Sequence, residues 1–134
     1  MKKSIIKTLS VLMALILVLC TFPLAAFAVV SETFFLARHV GYNCTGSGTL
    51  ASNKATAKFN ATVIPLEPSI HEDMCSCEVK ITGYGTTGMI TGSTTTYGTI
   101  SASATYIPSG ILKTALFEFS FTGADMGDYT LTIP

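Results

Sequence analysis

Lys54-Ala55-Thr56-Ala57-Lys58-Phe59-Asn60-Ala61-Thr62-Val63 is the stretch from which the fold can be read. Ala55, Ala57, Phe59, Ala61 and Val63 share one parity, and Lys54, Thr56, Lys58, Asn60 and Thr62 share the other. Successive side chains of an extended chain point to opposite faces, so this segment is a strand with one apolar and one polar side. The alternation recurs downstream. It sets Cys75, Cys77, Val79 and Ile81 against Ser76, Glu78, Lys80 and Thr82, and it aligns Ile100, Ala102, Ala104 and Tyr106. It then sets Ala115, Phe117, Phe119 and Phe121 against Leu116, Glu118 and Ser120, and ends with Tyr129, Leu131 and Ile133. Upstream, Phe34 to Tyr42 is a less regular strand, because Arg38 shares the parity of Phe34, Leu36, Val40 and Tyr42. After residue 28 no segment carries a helical stripe.

Turn-forming residues fill the gaps. Gly46-Ser47-Gly48, Ser52-Asn53, Pro65 through Ser69, Gly83 through Gly88, Pro108-Ser109-Gly110 and Gly123 through Gly127 all accept turn dihedrals. About seven short strands at this spacing predict an all-β domain, a small antiparallel sandwich or barrel. A parallel α/β arrangement is excluded, since there is no room for crossover helices.

The 134 residues are 49% hydrophobic and 12% charged, which excludes a disordered chain and leaves room for about one domain. Part of the hydrophobicity belongs to the first 28 residues. Lys2, Lys3 and Lys7 precede the apolar run from Leu9 to Cys20, and Ala26-Phe27-Ala28 offers small residues at both positions that signal peptidase reads. Such a run is too short to span a bilayer of about 30 Å. Residues 1–28 are therefore expected to be a signal peptide cleaved after Ala28, leaving 29–134 as a single exported, extracellular domain. A retained anchor is disfavoured because no stop-transfer flank follows. Lipidation of Cys20 is disfavoured by the large Leu19 before it. From residue 29 onward five basic residues face eight acidic ones, net −3. Nucleic-acid and anionic-membrane partners rest on clustered cations, which this domain lacks, and no stable membrane insertion is expected once the signal is removed.

Between Lys80 and Lys113 lie 32 uncharged residues, nine of them Thr, four Ser and six Gly. An edge strand without Lys or Glu is open to pairing with another strand, so self-association through this segment is one expectation. Tyr84, Tyr97 and Tyr106 fall within it and are the candidate binding residues, able to stack on sugar rings or on a protein partner. Gly83-Tyr84-Gly85-Thr86-Thr87-Gly88 matches a dinucleotide fingerprint in letters only, because strand-like sequence follows it and no carboxylate appears until Glu118. No cofactor is expected.

Cys44, Cys75 and Cys77 make an odd number in an exported chain. A disulfide from Cys44 to Cys75 or Cys77 is the favoured reading, and closing that loop is worth roughly 3.5 kcal/mol in the chain-entropy account. A zinc-like site at His71, Cys75 and Cys77 is a weaker alternative, one ligand short of a structural site. Buried reduced thiols are a third reading. Catalytic groups are sparse: His39 is placed in a strand, His71 in an acidic loop, and Glu78 and Glu118 stand apart in the sequence. No catalytic residue is assigned and a non-enzyme is expected.

The lysine-led signal, the Gly-Ser turn before Lys54-Ala55-Thr56-Ala57, Ser101-Ala102-Ser103-Ala104 and Ser109-Gly110-Ile111-Leu112-Lys113 resemble small exported β-proteins of Gram-positive bacteria, the lactococcin-972-like bacteriocins among them. The resemblance implies interference with the cell-wall precursors of competing bacteria. Three cysteines after the signal and the lack of Trp depart from that group, and no functional residue is carried over. The expectation from the residues themselves is a secreted, non-catalytic module that binds a cell-surface, glycan or protein ligand. A bacteriocin-like antagonist and a small metal protein or enzyme using His71, Cys75 and Cys77 stand as its alternatives.

Overall fold

The computed structural model describes residues 28–134. Eight strands follow one another: β1 (Val30–Phe35), β2 (Tyr42–Ala51), β3 (Lys54–Val63), β4 (Cys77–Gly85), β5 (Ile90–Gly98), β6 (Ser101–Tyr106), β7 (Leu112–Phe121) and β8 (Ala124–Thr132). One 3-10 turn, Glu72–Met74, lies between β3 and β4. Two four-stranded antiparallel sheets, ordered β1-β2-β3-β6 and β5-β4-β7-β8, pack into an open sandwich. The expected all-β class is therefore correct, as a sandwich and not a closed barrel, with one strand more than expected. The expected signal peptide lies outside the described residues except for its last position.

The core is made by unequal partners. Beside Phe34, Tyr42, Leu50, Phe59 and Tyr106, the first sheet turns a run of small residues inward, Gly46, Gly48, Ala55, Ala57, Ala61, Ala102 and Ala104. The second turns in Val79, Ile81, Phe117, Phe119 and Phe121, all at most 2% exposed. Two facing sheets stand about 10 Å apart, so bulk on one face must meet space on the other. Each fully buried Phe or Ile contributes roughly 1.5–3 kcal/mol relative to leaving it in water.

That packing explains a difference from the sequence reading. Gly46-Ser47-Gly48 is not a turn but the middle of β2, paired with Phe59, Lys58 and Ala57 of β3. A Cβ on Gly46 would come within 2.9 Å of the Phe119 ring, and one on Gly48 within 3.0 Å of the Phe117 ring. Glycine here makes room for the opposite sheet.

The irregular segment after β1 resolves in the same way. His39 and Tyr42 form an isolated bridge around Val40 (φ 45°) and Gly41 (φ 84°), a tight two-residue turn with both central residues left-handed. Hence His39 lies in a turn and not in a strand, and β2 begins at Tyr42. The Tyr42 hydroxyl donates to the Ile70 carbonyl at 2.9 Å, tying this end of β2 to the β3–β4 loop. Ser52-Asn53 does form the β2–β3 turn, and Thr122-Gly123 (φ 48° and 78°) turns β7 into β8.

Candidate functional site

The outward face of the β5-β4-β7-β8 sheet collects the polar parity of four strands. β4 contributes Glu78, Lys80, Thr82 and Tyr84, of which Thr82 is buried between its neighbours; register places Tyr97, Thr95 and Ser93 of β5 beside the first three. On the other side β7 places Ser120, Glu118, Leu116 and Thr114 beside the four β4 positions in turn. β8 then sets Asp128 opposite Glu118, Thr130 opposite Leu116 and Thr132 opposite Thr114. One row thus reads Tyr97, Glu78, Ser120, and the next Thr95, Lys80, Glu118, Asp128.

Glu78 and Glu118, which stand apart in the sequence, meet here on adjacent strands with Lys80 between them. Lys80 Nζ lies 2.8 Å from Glu118 Oε2. That hydrogen bond and the carboxylate's charge hold the Lys80 ammonium above its ordinary pKa, against a smaller opposing effect of burial. A shallow depression of about 370 Å³ is lined by Glu78, Lys80, Glu118, Ser120, Asp125 and Asp128. A second, of about 310 Å³, is lined by Tyr84, Leu116, Thr114, Thr130 and Gly88. The face is acidic and hydrogen-bonding at one end and more apolar at the other.

The three candidate tyrosines part ways. Tyr97 is 72% exposed and Tyr84 is half-buried at the edge of the second depression. Tyr106 is a correction: it is 9% exposed, and its hydroxyl donates to Thr91 Oγ1 at 3.0 Å. Its ring occupies the space that a Cβ on Gly83 or Gly92 would need, so it packs inside the sandwich and offers no binding surface.

The cysteines also depart from the favoured reading. Cys44, Cys75 and Cys77 are buried free thiols, and no Cys44 disulfide is formed. Each keeps to the apolar core: the Cys75 thiol donates to the His71 carbonyl at 3.5 Å, and the Cys44 thiol faces the Tyr42 carbonyl at 4.0 Å. Burial, and then the neighbouring Cys75 and Cys77, push the Cys44 thiol up to about 11. Burial also raises Cys77, against a backbone hydrogen bond at Gly98 that lowers it. Tyr42 is raised by burial first and then by its contact with Cys75. His71 is exposed while both thiols below it are buried, so the three do not converge. Among the described residues no group of three or more His, Cys, Asp or Glu is arranged to hold a metal ion. His39 instead sets its ring edge-on to Phe121 at 6.3 Å.

The other outward face was not visible in the sequence. Register aligns Ser31, Thr49, Thr56 and Thr105 in one row and Thr33, Ser47, Lys58 and Ser103 in the next, a sheet of hydroxyls across β1, β2, β3 and β6. Ser31 and Thr49 hydrogen-bond at 2.9 Å. The hydroxyls come from four separate segments, none of which is unusual alone. No protein-family model matches the chain, and no curated protein matches it.

Proposed function

We propose that this chain is a secreted, non-catalytic binding module whose ligand, a glycan or a polar protein surface, lies across the outward face of the β5-β4-β7-β8 sheet. The observation that carries the reading is the cross-strand row Tyr97, Glu78, Ser120 beside Thr95, Lys80, Glu118, Asp128. A tyrosine ring presents a flat apolar surface to the C–H face of a sugar, and carboxylates accept hydrogen bonds from hydroxyl groups. Lys80 holds Glu118 at 2.8 Å, so that one carboxylate is fixed in place before a ligand arrives. Preorganisation of this kind reduces the ordering cost of binding.

The test is binding of the exported protein to isolated bacterial cell walls and to a panel of soluble polysaccharides. Tyr97→Ala and Glu78→Gln should each weaken binding by about 1–2 kcal/mol, the range for an anchor residue. His39→Ala and His71→Ala should leave it unchanged. Loss of binding in the His variants with none in Tyr97→Ala would place the site elsewhere.

A further inference from the structure

Strand β5 is an edge of its sheet, and its free side has a pattern that fits itself. No residue from Ile90 to Gly98 is charged, and neither is any residue of β6, the edge of the other sheet on the same side. The two edges adjoin: the Cβ position of Gly98 meets the Ser101 carbonyl, and that of Gly92 meets the Tyr106 ring. Edges that avoid pairing carry charge or inward-pointing Lys, and this side of the sandwich has neither.

A bulge decides which β5 side chains share the outer face. Pairing with β4 runs from Cys77–Gly98 to Gly83–Gly92 one residue at a time, but the next pair is Tyr84–Ile90, which leaves Thr91 as the extra residue. The Thr91 hydroxyl meets the buried Tyr106 hydroxyl at 3.0 Å, and Ile90 joins Ser93, Thr95 and Tyr97 on the outer face. Ile90 is 66% exposed and Tyr97 72%. With the bulge counted as one position, they stand at equal distances along the ladder on either side of Thr94.

We propose that two copies of this chain pair β5 to β5, antiparallel about a twofold axis at Thr94, and that each copy completes the other's ligand face. Pairing about that point sets Ser93 beside the second copy's Thr95, and Ile90 beside its Tyr97. Both large apolar side chains of each edge are then covered by the other. This self-complementarity selects a second copy over an unrelated strand. The row Ser120, Glu78, Tyr97 of one copy continues through Ile90, Tyr84 and Thr114 of the second. The acidic depression of one copy thereby adjoins the more apolar depression of the other. Six strands spaced about 4.8 Å apart make a row of about 24 Å, which suits an extended polymer and not a single sugar. The ligand part of this inference rests on the proposed function, while the pairing rests on β5 alone.

Introduced cysteines test the register, because the native thiols are buried and react slowly. Exported Ile90→Cys and Tyr97→Cys proteins, mixed in equal amounts and oxidised with copper phenanthroline, should give a disulfide-linked dimer on a non-reducing gel. Either variant alone should give at least ten-fold less, since its two cysteines would stand about 20 Å apart across the axis. Mixed Ser93→Cys and Thr95→Cys proteins repeat the test with Ile90 and Tyr97 in place. No crosslink in either mixture, or crosslinking just as strong in Ile90→Cys or Tyr97→Cys alone, would overturn the pairing. Thr94→Lys, on the axis and off the ligand face, should give a monomer in sedimentation velocity and bind isolated bacterial cell walls at least ten-fold more weakly. A Thr94→Lys monomer that binds the walls as tightly as the unaltered protein would overturn the shared face. Wall binding unmoved by Tyr97→Ala and Glu78→Gln would overturn the shared face together with the ligand reading beneath it, and the crosslink would still show the pairing.

Discussion

At Gly48 the absence of a side chain is what the second sheet packs against. A Cβ there would come within 3.0 Å of the Phe117 ring, which would have to shift although it is fully buried and packs beside Phe34 at a centroid distance of 6.3 Å. Gly48→Val should therefore destabilise the domain by about 1–3 kcal/mol, although Val is the better strand former; urea unfolding reads the loss. Gly98 is stricter, since its Cβ would run into the Ser101 carbonyl, which is backbone. Titration at single residues gives a second prediction. Cys44 and Lys80 both release their protons at higher pH folded than unfolded. Above the ordinary thiol value of 9.0 the unfolded chain loses the Cys44 proton while the folded chain keeps it, up to about 11. Fewer protons on the unfolded chain mean that stability falls as pH rises through that window. Lys80 acts in the same direction above its ordinary 10.5. Unfolding midpoints measured from pH 7 to 11 should hold up to about 9 and then decline, and Cys44→Ala should flatten the first part of the decline. At pH 8 the three buried thiols should react slowly with iodoacetamide until denaturant is added.

Among the strands, β5 stands out as an edge of its sheet with no charge from Ile90 to Gly98, and β6, an edge of the other sheet, is also uncharged. The opposite edges carry Glu32 on β1 and Asp125 and Asp128 on β8. Edges without charge pair with edges of other molecules, so self-association should run through β5. Sedimentation velocity should show a concentration-dependent dimer, and Ser93→Lys should shift it to monomer by about ten-fold in concentration. A dimer that Ser93→Lys leaves intact would show that the contact lies elsewhere. The strands also show what sequence pattern can convey. β3, β4 and β7 are legible because each is half-buried with strict alternation. β2 is disguised because two of its inward positions are glycine, which in a single sequence signals a turn as readily as a close approach. β5 hides because Thr occupies both its faces. Site residues are legible only as to face: the parity of Glu78, Lys80 and Glu118 points outward, but their meeting depends on the β4–β7 register. That register is set by the whole core and by no local signal.

In the molecule as a whole, neither sheet is built from consecutive strands. β6 joins the first sheet after β4 and β5 have entered the second, so no cut in the chain separates one sheet from the other. Phe34 of β1 stacks on Tyr129 of β8 at 4.1 Å, spanning the sheets from the two ends of the described chain. One core shared in this way should unfold as one unit. Far-ultraviolet circular dichroism, which follows strand, and near-ultraviolet signals, which follow Tyr42 in the core and Tyr129 packed against it, should give the same midpoint in urea. Phe117→Ala removes a ring that is 0% exposed and leaves a cavity between the sheets. It should cost about 3–5 kcal/mol and move both signals together, a large share of the roughly 5–15 kcal/mol that holds such a domain folded. Tyr97→Ala, on the solvent side of the same sheet, should shift stability by no more than about 0.5 kcal/mol. Two separated transitions, or a Phe117→Ala variant that loses only one of the signals, would mean that the sheets hold their structure independently and that the inter-sheet packing is not what makes the fold cooperative.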